Sequence, residues 1–342
     1  VPHGWQRRWE ARPKVVLMAG AWRMHLRRVD DLRVAHPVIL GRTRAVLVDT
    51  SGSTIHRAEA GPSNLNHSDW ETVCASLRSI VERCTENLDE PPLAACVGLA
   101  GASAQNTRGA LMEIFKDLLP IPTDLTSDAE IALDGAFIGE DGILLNAGTG
   151  SICIGRSSNG VLVRSGGWGS LVDDAGSASW IGRSAITQSL REKDGRSPPS
   201  ALSPTIFKAL GLEESSQIID RIYRPPLSPA EFGQLAPIVS RLAESGESSA
   251  NAIIEAAVDE LEQLARAAAA QLPKSAHCIC LSGGLLAGKT LISKHLADRL
   301  EDMEIKLGVL PPLSGAIIRA AKMAEVAVDQ SFIVSLSKGE HR

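Results

Sequence analysis

Ile143-Leu144-Leu145-Asn146-Ala147-Gly148-Thr149-Gly150-Ser151-Ile152-Cys153-Ile154-Gly155 is an apolar run, a glycine-bearing turn and a second apolar run. With Val161 to Val163 it reads as three strands joined by tight turns, since Gly and Ser punctuate what β-branched and apolar residues would otherwise continue. Downstream, Ser177 to Leu190 has the spacing of a long helix. Past a helical insert come a strand (Cys278 to Leu281), a helix (Lys289 to Leu300), a strand (Ile305 to Val309) and a helix (Ser314 to Val326). That order is βββαβαβα. The insert runs from about Leu202 to Gln271. Its last helix, Ala250 to Gln271, is so rich in alanine that close packing against neighbours is expected.

Upstream, the same order is written a second time. Arg44 to Asp49 is an apolar strand, Thr50-Ser51-Gly52-Ser53 a turn and Thr54 to Ala60 another strand. Trp70, Val73, Leu77, Ile80 and Val81 recur at helical spacing behind Ser68 or Asp69 as N-cap. A strand (Ala94 to Ala100), a helix (Thr107 to Leu118), a strand (Asp124 to Thr126) and a helix (Ala129 to Ile138) follow. Leu32 to Ala35 as a first strand completes βββαβαβα. Hairpin and crossover strands must then join into one mixed sheet per half. The expected fold class is α/β, in two domains at 31–141 and 142–314 with a cleft between them. The helical insert, 202–271, sits in the second, and the C-terminal helix at 315–335 is free to pack back on the first. Two copies of this order resemble the actin, Hsp70 and hexokinase superfamily, whose domains are RNase H-like.

The 342 residues, 44% of them hydrophobic, suffice for two full cores. A formal net charge of −5 offers no basic field for a polyanion, so nucleic acid is excluded as an expected partner. No apolar run approaches the ~20 residues that span a bilayer, and no membrane association is expected. The six cysteines include no C-x-x-C pair and no His at metal-ligand spacing, which reads as reduced thiols in a cytoplasmic protein. Val1 to Asp30 is Arg-rich with little periodicity. It is expected to be a disordered extension, either upstream sequence read through or a transit peptide.

Five places in the chain could carry chemistry. In Gly148-Thr149-Gly150-Ser151, glycines let backbone N–H groups approach a phosphate and two hydroxyls add donors; an ordinary hairpin turn reads equally well. Thr126-Ser127-Asp128-Ala129-Glu130 lies at a strand end and opens a helix. Asp128 there could accept the proton of a substrate hydroxyl, or serve the helix dipole beside a Ser127/Glu130 capping box. Gly166-Gly167-Trp168-Gly169 with Asp173-Asp174-Ala175-Gly176 could bind a sugar, the Trp168 edge giving apolar contact and Asp174 accepting from hydroxyls; the alternative is a core tryptophan and a helix cap. Ser282-Gly283-Gly284 and Gly315 could bring bare backbone to an adenosine, or simply start helices tightly.

In this order, with Gly61-Pro62-Ser63-Asn64, Gly98-Leu99-Ala100-Gly101 and Trp180-Ile181-Gly182, the set resembles the BadF/BadG/BcrA/BcrD-type ATPase family and its N-acetylglucosamine kinase members, from about Asp31 to Val326. The resemblance implies Mg2+-ATP-dependent phosphorylation of an amino sugar, N-acetylglucosamine or glucosamine, with a homodimer left open. It implies Asp128 as general base and Ser63, Asn64, Gly167, Trp168 and Asp174 on the sugar. It also implies Arg42, Thr43, Gly148, Thr149, Gly150, Ser151, Gly283, Gly284 and Gly315 on the nucleotide, and no protein-held metal site. Two departures stand out. Where the family has an Asp-Gly-Gly-Gly-Thr phosphate loop, this chain has Pro37-Val38-Ile39-Leu40-Gly41, and only Arg42 and Thr43 fit; the family's Asp-Glu-Gly is Asp174-Ala175-Gly176. Either the chain is a degenerate kinase or sugar-sensing pseudokinase with weak turnover, or its beginning is misread. The family's radical-dehydratase activators need a cysteine beside the second phosphate loop; here Cys153 falls on the next strand.

Overall fold

A computed structural model describes residues 14–19, 42–65, 68–86, 88, 90–102 and 105–339. The described chain falls into two compact units, one running to Gly139 and resuming at Val309, the other spanning Glu140–Gly308. No described helix is long and apolar enough to cross a membrane.

The first unit begins with β1 (Lys14–Ala19), β2 (Thr43–Asp49), β3 (Thr54–Ala60), α1 (Trp70–Thr85), β4 (Ala95–Gly98), α2 (Gln105–Leu118), β5 (Thr123–Thr126) and α3 (Asp128–Phe137). The sheet order is β3-β2-β1-β4-β5, antiparallel across β3-β2-β1 and parallel across β1-β4-β5. Lys-Val-Val-Leu-Met-Ala thus fills the centre of the sheet, inside the segment expected to be a disordered extension. The reason is local, because a β-branched apolar run is a good strand wherever it falls in the chain. The strand expected at Leu32 to Ala35 lies outside the described residues.

The second unit comprises β6 (Gly142–Ala147), β7 (Ser151–Arg156), β8 (Leu162–Gly166), α4 (Ala178–Lys193), α5 (Leu202–Ala209), α6 (Ile218–Tyr223), α7 (Pro229–Gly233), α8 (Ala236–Glu244), α9 (Ser248–Ala269), β9 (Cys278–Ser282), α10 (Leu291–Arg299) and β10 (Glu304–Lys306). Its sheet order, β10-β9-β6-β7-β8, repeats the plan of the first. Helices α5 to α9 form the insert. Its core joins Ile143, Leu145 and Cys153 of the sheet to Ala257, Leu261 and Ala265 of α9, where alanines let the helix lie close.

The chain ends in α11 (Pro312–Met323) and α12 (Gln330–Gly339). Helix α11 belongs by order to the second repeat, yet it packs on α3 in the first unit, burying Ala316, Ile317 and Ala320 with Val46, Val48 and Ile131. The approach is close: a Cβ on Gly315 would run into the Ile131 carbonyl. Gly315, expected beside a nucleotide, therefore has a packing role of its own, and its missing side chain faces α3.

Candidate functional site

In the second unit β6 and β9 are parallel, with Asn146 level with Ser282, so the turns that follow them emerge at one edge of the sheet. Carboxyl ends of parallel strands are where ligands bind in open α/β sheets. Ala147 joins the two turns. Its carbonyl accepts from Leu285 N–H at 3.0 Å, and Gly283, at φ 88°, leaves no room for a Cβ against the Ala147 backbone. Gly284 faces open space.

The turn at Gly148–Ser151 is held from behind by the start of α4. Ala178 N–H donates to Gly148 O at 2.9 Å and Ser179 N–H to Thr149 O at 3.3 Å. Ser151 Oγ donates to Ala175 O at 2.7 Å, and Gly148 N–H to Gly150 O at 2.9 Å. The expectation that all four residues offer free donors is therefore corrected. Gly148 N–H and the Ser151 hydroxyl are spent on the fold, leaving exposed Thr149 with its hydroxyl, and Gly150, at the tip. Asn146, at the root of the turn, is 6% exposed, and its side-chain nitrogen has no hydrogen-bond partner among the described residues.

Asp174 takes a different place from the one expected. Rather than standing open to sugar hydroxyls, it sits so close to the turn that a Cβ on Gly150 would lie 2.6 Å from its Oδ2. It has a left-handed backbone (φ 56°) and is 9% exposed. Burial pushes its carboxyl up and neighbouring Asp173 adds to this, while the Ser151 and Gly169 N–H groups pull against them. Trp168, by contrast, is 70% exposed. The Arg164 guanidinium stacks 4.4 Å over its ring while Nε donates to Gly166 O at 2.9 Å, so one arginine fixes the whole Gly166–Gly169 loop. Just beyond it, Leu171, Val172 and Asp173 wall a hollow of about 600 Å³ against Trp180, Arg183 and Ser184 of α4.

The first unit assembles a second set of loops, again at the carboxyl ends of parallel strands. Leu65 N–H donates to Ala100 O at 3.3 Å, and Leu99 N–H to Thr126 O at 3.0 Å. These bonds bring the Asn64 loop, the Gly98–Gly101 loop and the start of α3 together. Asn64 O also accepts from Ser68 N–H at 2.9 Å. Thr43 Oγ1 lies 2.7 Å from Gly61 O and 2.8 Å from Ser63 Oγ, so these two, expected on different ligands, meet at the base of one hairpin. Arg42 pairs with Glu59 at 2.9 Å on the surface. Pro37–Gly41 lie outside the described residues.

Ser127 caps α3, accepting Glu130 N–H at 3.1 Å, and Asp128 opens the helix with Oδ1 on its neighbour's Ala129 N–H at 2.9 Å. The reciprocal half of the expected capping box differs: Glu130 Oε1 accepts from the Ser127 hydroxyl at 3.1 Å, and Oε2 faces Arg319 of α11 at 3.2 Å. Arg319 was not legible beforehand, for only the return of α11 to this unit brings it here. Among the described residues no group of three His, Cys, Asp or Glu could hold a metal. Cys153 is fully buried on β7, and burial pushes its thiol up.

The model of the BadF/BadG/BcrA/BcrD ATPase family matches residues 41–317. Among curated proteins, an N-acetylmuramic acid/N-acetylglucosamine kinase of Clostridium acetobutylicum is 33% identical over 206 residues, which is 59% of this chain and 67% of that one. An N-acetyl-D-glucosamine kinase of Dictyostelium discoideum is 27% identical over 301 residues, covering 82% and 94%. Among solved structures, a proposed N-acetylglucosamine kinase from Chromobacterium violaceum superposes with a TM-score of 0.66 at 23% identity, covering 90% of this chain and 99% of that one, a likeness of fold.

Proposed function

The chain belongs to the BadF/BadG/BcrA/BcrD ATPase family, and on that premise we propose that it uses ATP to phosphorylate an amino sugar, N-acetylglucosamine or glucosamine, in the cytoplasm. The observation that carries this reading is a division of labour. One unit gathers an acceptor-side set, Asn64 and Asp128, at its strand ends. The other gathers a phosphate-side set, Thr149 and Gly150 with Gly283 and Gly284. That relatives are named as amino-sugar kinases supports the choice of reaction class.

In the reaction, Asp128 accepts the proton of the sugar hydroxyl as that oxygen bonds to the γ-phosphorus of ATP. The bond from the γ-phosphorus to the β–γ bridging oxygen breaks, and ADP leaves. In a loose transition state the carboxylate's main service is to orient the hydroxyl. The tip of the Gly148–Ser151 turn holds phosphate oxygens, rigid because α4 has satisfied its carbonyls. Trp168 and Gly167 offer an apolar edge to the sugar. Mg2+ fits this donor set as an ion carried on the nucleotide's phosphates, with a protein carboxylate at most assisting, and would neutralise charge there.

A second reading, a sugar-sensing pseudokinase, is favoured by one observation: Pro37-Val38-Ile39-Leu40-Gly41 in place of a Gly-rich phosphate loop. β-Branched residues hold backbone N–H groups away from a phosphate that glycine would admit. Turnover is accordingly expected to be weak. The test is ADP release with ATP and N-acetylglucosamine or glucosamine, alongside calorimetric titration of each ligand. Asp128→Asn is expected to lower kcat about 10²–10⁴-fold with sugar affinity retained. Sugar binding without ATP binding or turnover favours the sensor, and neither ligand binding ends both readings.

A further inference from the structure

Arg319 stands 189 residues after Glu130 in the chain, and each of its three guanidinium nitrogens meets a different carboxylate. Nε donates to Asp134, Nη1 to Asp124 Oδ2 at 2.9 Å and Nη2 to Glu130 Oε2 at 3.2 Å. Asp134, with a side chain 2% exposed, would by itself explain why α11 carries an arginine against α3. The Glu130 arm has a different reach. Its other oxygen takes the Ser127 hydroxyl, and Ser127 is the cap immediately before Asp128.

From this geometry we propose that Arg319 is a positioning residue for Asp128, acting through Glu130 and the Ser127 cap. The inference rests on Asp128 being the acceptor's base. An N3 glutamate in an ordinary capping box swings back to the cap's own N–H on a flexible side chain. Here the fork of Arg319 claims one carboxylate oxygen and the cap hydroxyl the other, so the glutamate has a single direction. The Ser127 hydroxyl is fixed in turn, donating to Glu130 Oε1 and accepting Glu130 N–H. The cap backbone, φ −82° and ψ 156°, sets where the next residue's carboxylate points. Three links therefore run from α11 to the carboxylate that must meet the hydroxyl. Misplacement of about 1 Å at such a group can cost as much as 10²-fold in rate.

The discriminating variant is Arg319→Lys. It keeps the charge near Asp134 but has no planar fork with which to hold three carboxylates at once. In the full chain it is expected to lower kcat about tenfold with KM for ATP unchanged, and Glu130→Gln to do the same. Combining the two should cost little more than either alone, because both cut one relay. A second measurement does not need turnover. In amide NMR spectra of Arg319→Lys, the Ala129 signal, which reports the 2.9 Å bond to Asp128 Oδ1, is expected to move while signals of α1 stay in place. An Ala129 signal that stays put in a folded variant overturns the proposal, as do kcat values equal to the parent's in both variants. If instead Asp128→Asn turns over normally, it is the assignment of the base that fails, and the NMR result still decides whether the relay exists.

Discussion

Gly283 and Gly284 are neighbours on one turn, yet the structure gives a methyl group opposite fates at the two positions. At Gly283 a Cβ would press on the Ala147 carbonyl oxygen, 2.6 Å from its carbon and 2.9 Å from its nitrogen, all of it backbone that cannot rotate away. The residue also has φ 88°, a left-handed conformation that costs an L-residue about 1–2 kcal/mol. Overpacking adds about 1–3 kcal/mol, so Gly283→Ala should lose about 2–5 kcal/mol. Because Ala147 leads directly into Gly148, the displaced backbone is the root of the phosphate-side turn. At Gly284 a Cβ meets nothing within 4 Å, and Gly284→Ala should leave stability within about 0.5 kcal/mol. If adenosine lies against that open backbone, however, the methyl occupies its space, and ATP affinity should fall tenfold or more, about 1.4 kcal/mol. Urea denaturation and calorimetric titration with ATP separate the two effects. A folded Gly284→Ala protein that binds ATP as the parent does refutes the assignment of this turn to the nucleotide.

Three further outcomes follow from buried charge. Arg319→Met should lose about 3–5 kcal/mol because it removes the guanidinium from three carboxylates, one of them the buried Asp134. Adding Asp134→Leu should restore most of it; an unfolding free energy from urea denaturation lowered by less than about 1 kcal/mol in the single variant contradicts the account. For Glu192, burial works to raise the carboxyl, but the Ser203, Ser200, Gln188 and Ser249 side chains donate to it and hold it below the ordinary range. Its ionised form is thus favoured in the fold, and its stabilisation is fully present above the ordinary glutamate range and lost as pH falls from there through the lowered folded value. Melting curves of the parent and Glu192→Gln should converge on acidification, and a constant gap is the contrary result. Asp174 has the opposite sign: its carboxyl is pushed up, so its favourable contribution belongs to acid and is lost as pH rises. Asp174→Asn, which keeps an oxygen for the Ser151 N–H, should gain stability relative to the parent between pH 4 and pH 7, as thermal melts will show.

What could be read in the chain beforehand depended on how far each signal had to travel. Strand, turn and helix order is local, so Ile143 to Gly155 announced β6, the turn and β7 within a residue or two, and the repeat of that order gave the doubled α/β plan. Ser127 as a cap and the alanine-rich α9 were local in the same sense. Asp174 was not. Three glycines and a tryptophan beside two carboxylates suggest an open sugar site, but a left-handed backbone at Asp174 turns its side chain onto Gly150, and periodicity carries no sign of φ. Nor could spacing tell that Gly315 faces α3, since a glycine near a helix start looks the same whether it admits a ligand or another helix. Lys14 to Ala19 shows the converse error: Arg-rich surroundings with little periodicity suggested a disordered extension, whereas register with β2 and β4 gives the segment a place in the sheet. Arg319 lay furthest out of reach. Its partners sit 185 to 195 residues away, and only the return of α11 to the first unit brings them together. The residues hardest to foresee are therefore those that hold the candidate base and the candidate phosphate turn from behind, because their service is defined by tertiary packing, whereas the residues proposed to touch substrate stand at strand ends, where sequence order alone points to them.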